Sequence, residues 1–445
     1  MTALPSSTSA PPRTLTVGLL LTIVAVAFES MAVATVLPRV ADDLHGLALY
    51  GWASGAFLLT SLFGAVISGT LTDRRGPAVA AGAGVLVFTA GLVVAGFAPS
   101  MAVFVLGRAV QGLGAGGLGA LPFAVIRARY PEQARARMLA AVSSAWLLPA
   151  LVGPLLASLL ADTLTWRAVF WGLAPVMLLV GPLCVLPLRG TVPDADRGAS
   201  GAGVGMALLL VVGAGALIEG LRTPGAYAWA LLALGAVGVL VATRHLFPRG
   251  LWRFAPGLPA ALMVRGFAAF AVLGANATLP LALHELRGLT LTQAGWLLSV
   301  GGVTWSLGSL VQSRLEARFG APSRPLRIRA GMGLVTVALV ITTLGVLGPL
   351  PVSAAYVGWL LSGLGMGVGY NSNSLLALSS VDDRQAGTLS GQLANIEVLM
   401  SAISAGLAGA LIARVTPLPH AFLGAFAALI IGSLLTWVAA ARLRR

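Results

Sequence analysis

Two acids and one arginine stand where an apolar chain should carry no charge. Glu29 lies inside the run 15–37, Glu397 inside the run 386–413, and Arg108 inside the run 101–126. A charged side chain at that depth in a bilayer costs a few kcal/mol, so its presence asks for a reason. An intramembrane carboxylate serves as a proton relay, as a counter-charge to a substrate, or as the buried partner of a cation. A guanidinium cannot give up its proton, so Arg108 must find an acid, a carbonyl dipole or water. Gln111 lies one helical step away on the same face. The expected chemistry is proton exchange: Glu29 and Glu397 take up and release protons from a central cavity, and Arg108 pairs with an acid in one state and not in another. The alternative is a static acid and a static ion pair that hold helices together.

A second group of side chains suits binding rather than proton transfer. Tyr370-Asn371-Ser372-Asn373 is an unusually polar patch for an apolar run. With Gln111, Gln392, Asn395, Trp146, Trp305 and Trp359 it can line a pocket offering few hydrogen bonds and much aromatic surface. Such a pocket fits a small hydrophobic or cationic molecule. Trp166, Trp171 and Trp229 fall at run ends and are assigned to the interfacial belt. Glu219 is placed at an interface, and Arg265, near the start of its run, is expected to snorkel.

Composition decides what must position these groups. Apolar residues make up 58% of the 445 and charged ones only 9%, too far from the globular norm for soluble domains and suited to a polytopic bundle facing lipid. Every basic residue is Arg, which removes the lysine-dependent phosphate loop and Schiff-base chemistry. The net charge of +14 would suggest nucleic acid, but the arginines sit in short loops between apolar runs, where an orientation signal explains them and no nucleic-acid partner is expected. Cys184 is single and in a run, so it forms no intrachain disulfide, and four scattered His suggest no metal site. No cofactor is expected. A membrane enzyme would need a nucleophile with its base; there is no Gly-x-Ser-x-Gly and no paired His.

Runs long enough to span fall at about 15–37, 50–71, 77–98, 101–126, 138–161 and 166–188. They continue at about 202–221, 226–246, 258–283, 291–313, 328–348, 352–378, 386–413 and 419–441, each near the ~20 residues a spanning helix needs. With the N-terminus cytoplasmic, the outer segments hold only Arg39, Arg167, Arg222, Arg287 and Arg414. That bias supports fourteen spans, both termini cytoplasmic, in the plasma (inner) membrane. The chain also repeats. Thr35-Val36-Leu37-Pro38 recurs as Thr278-Leu279-Pro280, Asp73-Arg74-Arg75-Gly76-Pro77 is echoed by Glu316 to Pro322, and Gly112-Leu113-Gly114-Ala115-Gly116 by Gly363 to Gly367. The expected architecture is all-α, with two pseudo-symmetric six-helix bundles and an inserted pair, the plan of a secondary transporter. Its parts are a disordered N-terminus 1–14, a bundle 15–188, a linker with inserted helices 189–257, and a bundle 258–445. The glycine ladders lie inside runs with no preceding strand, so Gly112, Gly114 and Gly116 read as close helix packing rather than a nucleotide fingerprint.

Four motifs in this order resemble the major facilitator superfamily, in its fourteen-span drug:proton antiporter branch. Gly69 to Pro77 is similar to the superfamily's cytoplasmic loop signature, and Leu106 to Gly114 to its intramembrane arginine motif. Pro149 to Pro154, with Gly153, resembles the span-five antiporter signature, and Glu29 to Pro38 the first-span motif of the branch, which more often has Asp at the acidic position. The resemblance implies that Arg108 works with the acid of span one. It also implies a conformational latch of Gly69, Asp73, Arg74 and Gly76, in which Asp73 bonds to the start of span eleven and to an arginine, Arg127 or Arg129, at the end of span four. Two departures stand out: Pro77-Ala78-Val79 follow where further basic residues are usual, and Leu156-Ala157 replace a Gly-Gly pair, so the span-five interface should be less tightly approached. The function expected is proton-coupled export of hydrophobic or amphipathic compounds by a monomer surrounded by lipid. Export of lipids or lipid-linked molecules is the alternative, and uptake by symport the third reading.

Overall fold

Long runs of Leu, Val and Ala must satisfy their own backbone hydrogen bonds in hydrocarbon, and helices do this within each segment. The computed structural model describes residues 13–130, 132–190 and 201–443, with a few side chains inside helices, including those of Arg127 and Arg384, left out. It is built of α1 (Arg13–Asp43), α2 (Tyr50–Arg75), α3 (Pro77–Gly96), α4 (Met101–Arg129), α5 (Glu132–Ser144), α6 (Leu147–Thr163) and α7 (Arg167–Val185). There follow α8 (Gly201–Arg222), α9 (Ala226–Leu246), α10 (Leu258–Arg287), α11 (Leu291–Phe319), α12 (Arg324–Leu347), α13 (Val352–Leu378), α14 (Asp383–Arg414) and α15 (Leu418–Ala441). Thirteen of these elements are long and apolar enough to cross a membrane, and α6 is a shorter apolar helix. The run expected at 138–161 is therefore divided: α5 ends at Ser144, Ala145-Trp146 turns, and α6 carries the membrane part. Of the N-terminus expected to be disordered, residues 1–12 lie outside the described residues, while Arg13 and Thr14 already belong to α1. Residues 191–200 of the expected linker also lie outside them.

Glycines set how closely the helices approach. A Cβ on Gly112 would lie 2.2 Å from the Phe57 carbonyl oxygen, and one on Gly116 1.8 Å from that of Ser61, so α4 rests its backbone on α2. Gly114 does the same against α3, where a Cβ would be 2.3 Å from Phe88 N. The second half repeats the device: Gly363 and Gly367 bring α13 onto α11, and Gly365 brings it onto α12. We expect Gly116→Leu to cost at least about 3 kcal/mol by forcing α2 and α4 apart. Gly119→Leu, on the same helix with nothing within 4 Å of its Cβ, should stay within about 0.5 kcal/mol of the parent. Denaturation in detergent would compare them.

The two halves touch at one end and part at the other. At the end opposite the arginine-rich loops, α2 crosses α14 so closely that a Cβ on Gly51 would lie 2.7 Å from Gly409 Cα. There Tyr50 donates to the Ala277 carbonyl at 3.1 Å, Thr292 to Asp162 at 2.8 Å, and His284 lies 3.7 Å from Asp42. Every hydrogen bond and ion pair joining α1–α7 to α10–α15 between described residues is at this end. Toward the arginine-rich end no such tie joins described residues of the two halves, and Gly69 on α2 and Gly387 and Gly391 on α14 have nothing within 4 Å of a Cβ. The inserted α8 and α9 pack on each other, and α8 lies across the α2–α14 seam. It is tied to the first half by Trp52 donating to Glu219 at 2.9 Å, and to the second by Arg414 donating to the Leu221 carbonyl at 2.9 Å.

Candidate functional site

Glu29 and Arg108 meet. The acid projects from α1 and is fully buried; the guanidinium comes from α4 with its side chain 4% exposed, and the two form a hydrogen-bonded ion pair through Nη1 and Oε1. Gln111, buried one turn further along α4, donates to the same carboxylate oxygen at 3.2 Å and accepts from Arg108 at 3.1 Å. On its α2 side Arg108 donates to the Ala53 carbonyl at 3.2 Å and lies 4.1 Å from the centroid of the Phe57 ring. Arg108 is thus held by an acid, an amide, a carbonyl and an aromatic face. Glu29 Oε2 has no hydrogen-bond partner among the described residues, unusual for a buried polar atom.

The second half holds a matching but wetter pair. Arg265 of α10 donates to Glu397 of α14 from Nη2 at 2.8 Å and from Nε at 3.0 Å. Tyr370 of α13 donates to the same oxygen, and the guanidinium stacks 3.7 Å from the Tyr370 centroid while bonding Ser374 at 2.6 Å. The expectation that Arg265 snorkels is corrected. It lies only two turns into α10, but α13 and α14 pass beside it and supply an acid and a ring. The signal that could have found it is the rule already applied to Arg108: a guanidinium within a span must find an acid, a carbonyl dipole or water, and Glu397 is a second acid within a span. The side chains of Glu397 and Arg265 are 24% and 16% exposed, whereas Glu29 has no exposed surface. One pair is reachable by solvent and the other is sealed.

The residues expected to line a binding pocket divide. Trp305 packs edge-on against Tyr370 with centroids 5.4 Å apart and so belongs to the Glu397 cluster, whereas Asn371 donates to Ser309 at 2.8 Å and ties α13 to α11. Asn395 is half-buried on α14, without a hydrogen bond to a described residue. Trp146 is exposed at the break before α6, one turn beyond the Ala150–Gly302 contact with α11. Two assignments are corrected. Gln392 donates to the Leu246 carbonyl at 2.9 Å and so fastens the inserted pair. Asn373 is fully buried and donates to the Ala261 carbonyl at 3.0 Å, a tie between α13 and α10. Trp166 leaves the interfacial belt too: it is 1% exposed, donates to Asp43 at 2.9 Å and packs edge-on with Phe104 and Phe170.

Among the described residues the expected latch contacts of Asp73 are not formed. Gly76 stands at φ 89° and caps α2, which accounts for glycine there, and Pro77 opens α3. Asp73 makes neither of the bonds the resemblance implies to a described residue. Arg74 is exposed, the Arg127 side chain lies outside the described residues, and Arg129 donates to the Pro187 carbonyl at 3.1 Å. The repeat-related Glu316, by contrast, binds Arg324 at 2.6 Å and also Arg327. The difference follows from sequence, since Ala78 and Val79 offer no cation where α12 offers two. In the span-five motif, Gly153 packs against Phe28 and Met31 and the Pro154 carbonyl against Gly295, while Leu156 turns outward and is 41% exposed.

The model of the Major Facilitator Superfamily matches residues 19–405. The chain belongs to that superfamily. As a superfamily member with thirteen membrane-length helices, it is a multi-pass membrane transporter. It is 28% identical to a probable multidrug-efflux transporter of Mycobacterium tuberculosis over 85% of this chain and 83% of that one. It is also 23% identical to the multidrug efflux pump SdrM of Staphylococcus aureus over 95% of each. Among solved structures, a D-xylose-proton symporter superposes with TM-score 0.69 at 14% identity, covering 96% of this chain and 98% of that one. The peptide-transporter-family member PepTSo gives TM-score 0.69 at 14% identity, covering 97% and 96%. These two likenesses concern the fold.

Proposed function

We propose that this transporter exports hydrophobic and amphipathic, drug-like compounds in exchange for protons, by alternating access, in the plasma membrane with both termini cytoplasmic. The observation that carries the reading is the contrast between the two acid–arginine pairs. In the first, an acid oxygen without a partner is sealed with a guanidinium that has three other holds. That guanidinium can therefore lose its acid to a proton and stay solvated by the protein. In the second, an acid beside Trp305 and Tyr370 is reachable by water, which suits the cationic or polar part of a substrate. The ties between the halves at the opposite end alone, and Asp73 without a bond to a described residue, fit a state open toward the arginine-rich, cytoplasmic side. The named activities of the relatives support the substrate class. In liposomes, the purified protein should drive a cationic dye outward several-fold faster with an inward proton gradient than without one. Equal rates would leave facilitated diffusion instead.

A further inference from the structure

Helices α6 and α7 each lie along α1 but scarcely touch one another. Between them runs a groove of about 410 Å³, floored by Val24 and Phe28 of α1 and walled by Leu148 and Leu156 of α6 and Gly172 and Val176 of α7. We propose that this groove is a binding site for one acyl chain of a bilayer lipid. Its lining side chains are all apolar. Leu148, Leu156 and Val176 are 58%, 41% and 42% exposed on the outside of helices whose surroundings are hydrocarbon. Along α6 it extends from Leu148 to Leu160, roughly 18 Å at about 1.5 Å per residue. That is close to one leaflet of a hydrocarbon core about 30 Å thick. A single chain laid along the helices fills such a space, whereas a compact side chain or a folded partner does not.

Gly172 is the second observation. Glycine inside a helix is destabilising relative to alanine, and the other glycine of α7 has a contact to explain it: a Cβ on Gly181 would meet Val85 at 2.6 Å. A Cβ on Gly172 would meet nothing within 4 Å. No neighbouring helix requires the missing side chain, and any larger residue there would project into the groove. Leu156, standing where the span-five motif usually has glycine, completes the opposite wall. The site lies on the lipid side of α1 and does not rest on proton coupling.

The full-length protein is reconstituted with phosphatidylcholine carrying a diazirine in one acyl chain, irradiated, and mapped by peptide mass spectrometry. Labelling of the α6 and α7 walls should exceed by several-fold that of Leu234 and Val237, exposed on α9. Gly172→Trp should bring it down to the α9 level and leave α9 labelling unchanged. Gly172→Leu, a smaller intrusion, covers the case in which the tryptophan variant does not fold, and should lower the same signal partway. Equal labelling of the groove and α9 in the parent, or groove labelling unaltered by a folded Gly172 variant, overturns the proposal.

Discussion

Replacing Glu29 by Gln should give a folded transporter that has lost gradient-driven export altogether. Glutamine copies the shape of the neutral acid and leaves Arg108 an amide oxygen in place of the carboxylate. The guanidinium keeps Ala53, Gln111 and the Phe57 ring. If the protonated acid is a station of the cycle, the protein must tolerate that arrangement, and the variant rests in it. Substrate binding persists while the gradient no longer does work. Arg108→Leu should behave differently. It leaves a fully buried carboxylate with Gln111 as its one remaining polar contact, and breaking a buried pair from one side costs about 3–5 kcal/mol. Against a total stability of about 5–15 kcal/mol, that is a large share and should lower the melting temperature clearly. The double variant Glu29→Leu with Arg108→Leu should regain much of the stability and none of the coupling. Melting curves in detergent and dye export from liposomes would read both. Should Glu29→Gln be as unstable as Arg108→Leu, the pair is a structural tie; should it still export along the gradient, the proton goes elsewhere.

That pair is legible in the sequence because each member is forbidden alone. An arginine in a span must find an acid, a carbonyl dipole or water, and the family resemblance singles out the acid of the first span. The Arg265–Glu397 pair obeys the same logic, yet Arg265 lies near a helix end, where snorkelling competes. What decides is the passage of α13 and α14 alongside it, and no local pattern carries that. Gln392 and Asn373 are misplaced for the same reason: a polar side chain in a span must bond something, and whether the partner is a substrate or the Leu246 carbonyl depends on which helix is adjacent. The break before α6 is hidden because Ala145-Trp146-Leu147-Leu148 is apolar on both sides of the turn, and hydropathy registers burial in lipid, not backbone direction. Helix approach is easier to read, since a ladder such as Gly112-Gly114-Gly116 has few uses in a membrane other than close contact.

The halves are related but not equivalent. Aligning Gly112–Gly116 with Gly363–Gly367 puts Trp359 at the place of Arg108 and Ser362 at that of Gln111. Both are buried, so the second half has no guanidinium at that depth; its cation arrives from α10 instead, closer to the arginine-rich end and to water. The chain therefore keeps one charge pair sealed and the other partly exposed.

This asymmetry predicts opposite effects from the two members of the open pair. On the proposed function, Arg265 and a cationic substrate compete for Glu397, which accepts two bonds from the guanidinium and one from Tyr370. Removing Arg265, as Arg265→Met, frees the carboxylate for the substrate. A hydrogen bond to a charged group is worth about 1.5–3 kcal/mol, so affinity for a cationic dye should rise by roughly ten- to a hundredfold. Turnover should fall, because the arginine no longer displaces the bound dye. Glu397→Gln removes the counter-charge and should weaken dye binding by a similar factor while sparing an uncharged substrate. Both variants should remain folded, since water reaches the partner left behind and the penalty for an isolated buried charge does not arise in full. Fluorescence titration of dye against protein in detergent separates the cases. A loss of affinity of the same size in both variants would mean that the pair only braces α10 against α14, and that the substrate's charge is met elsewhere.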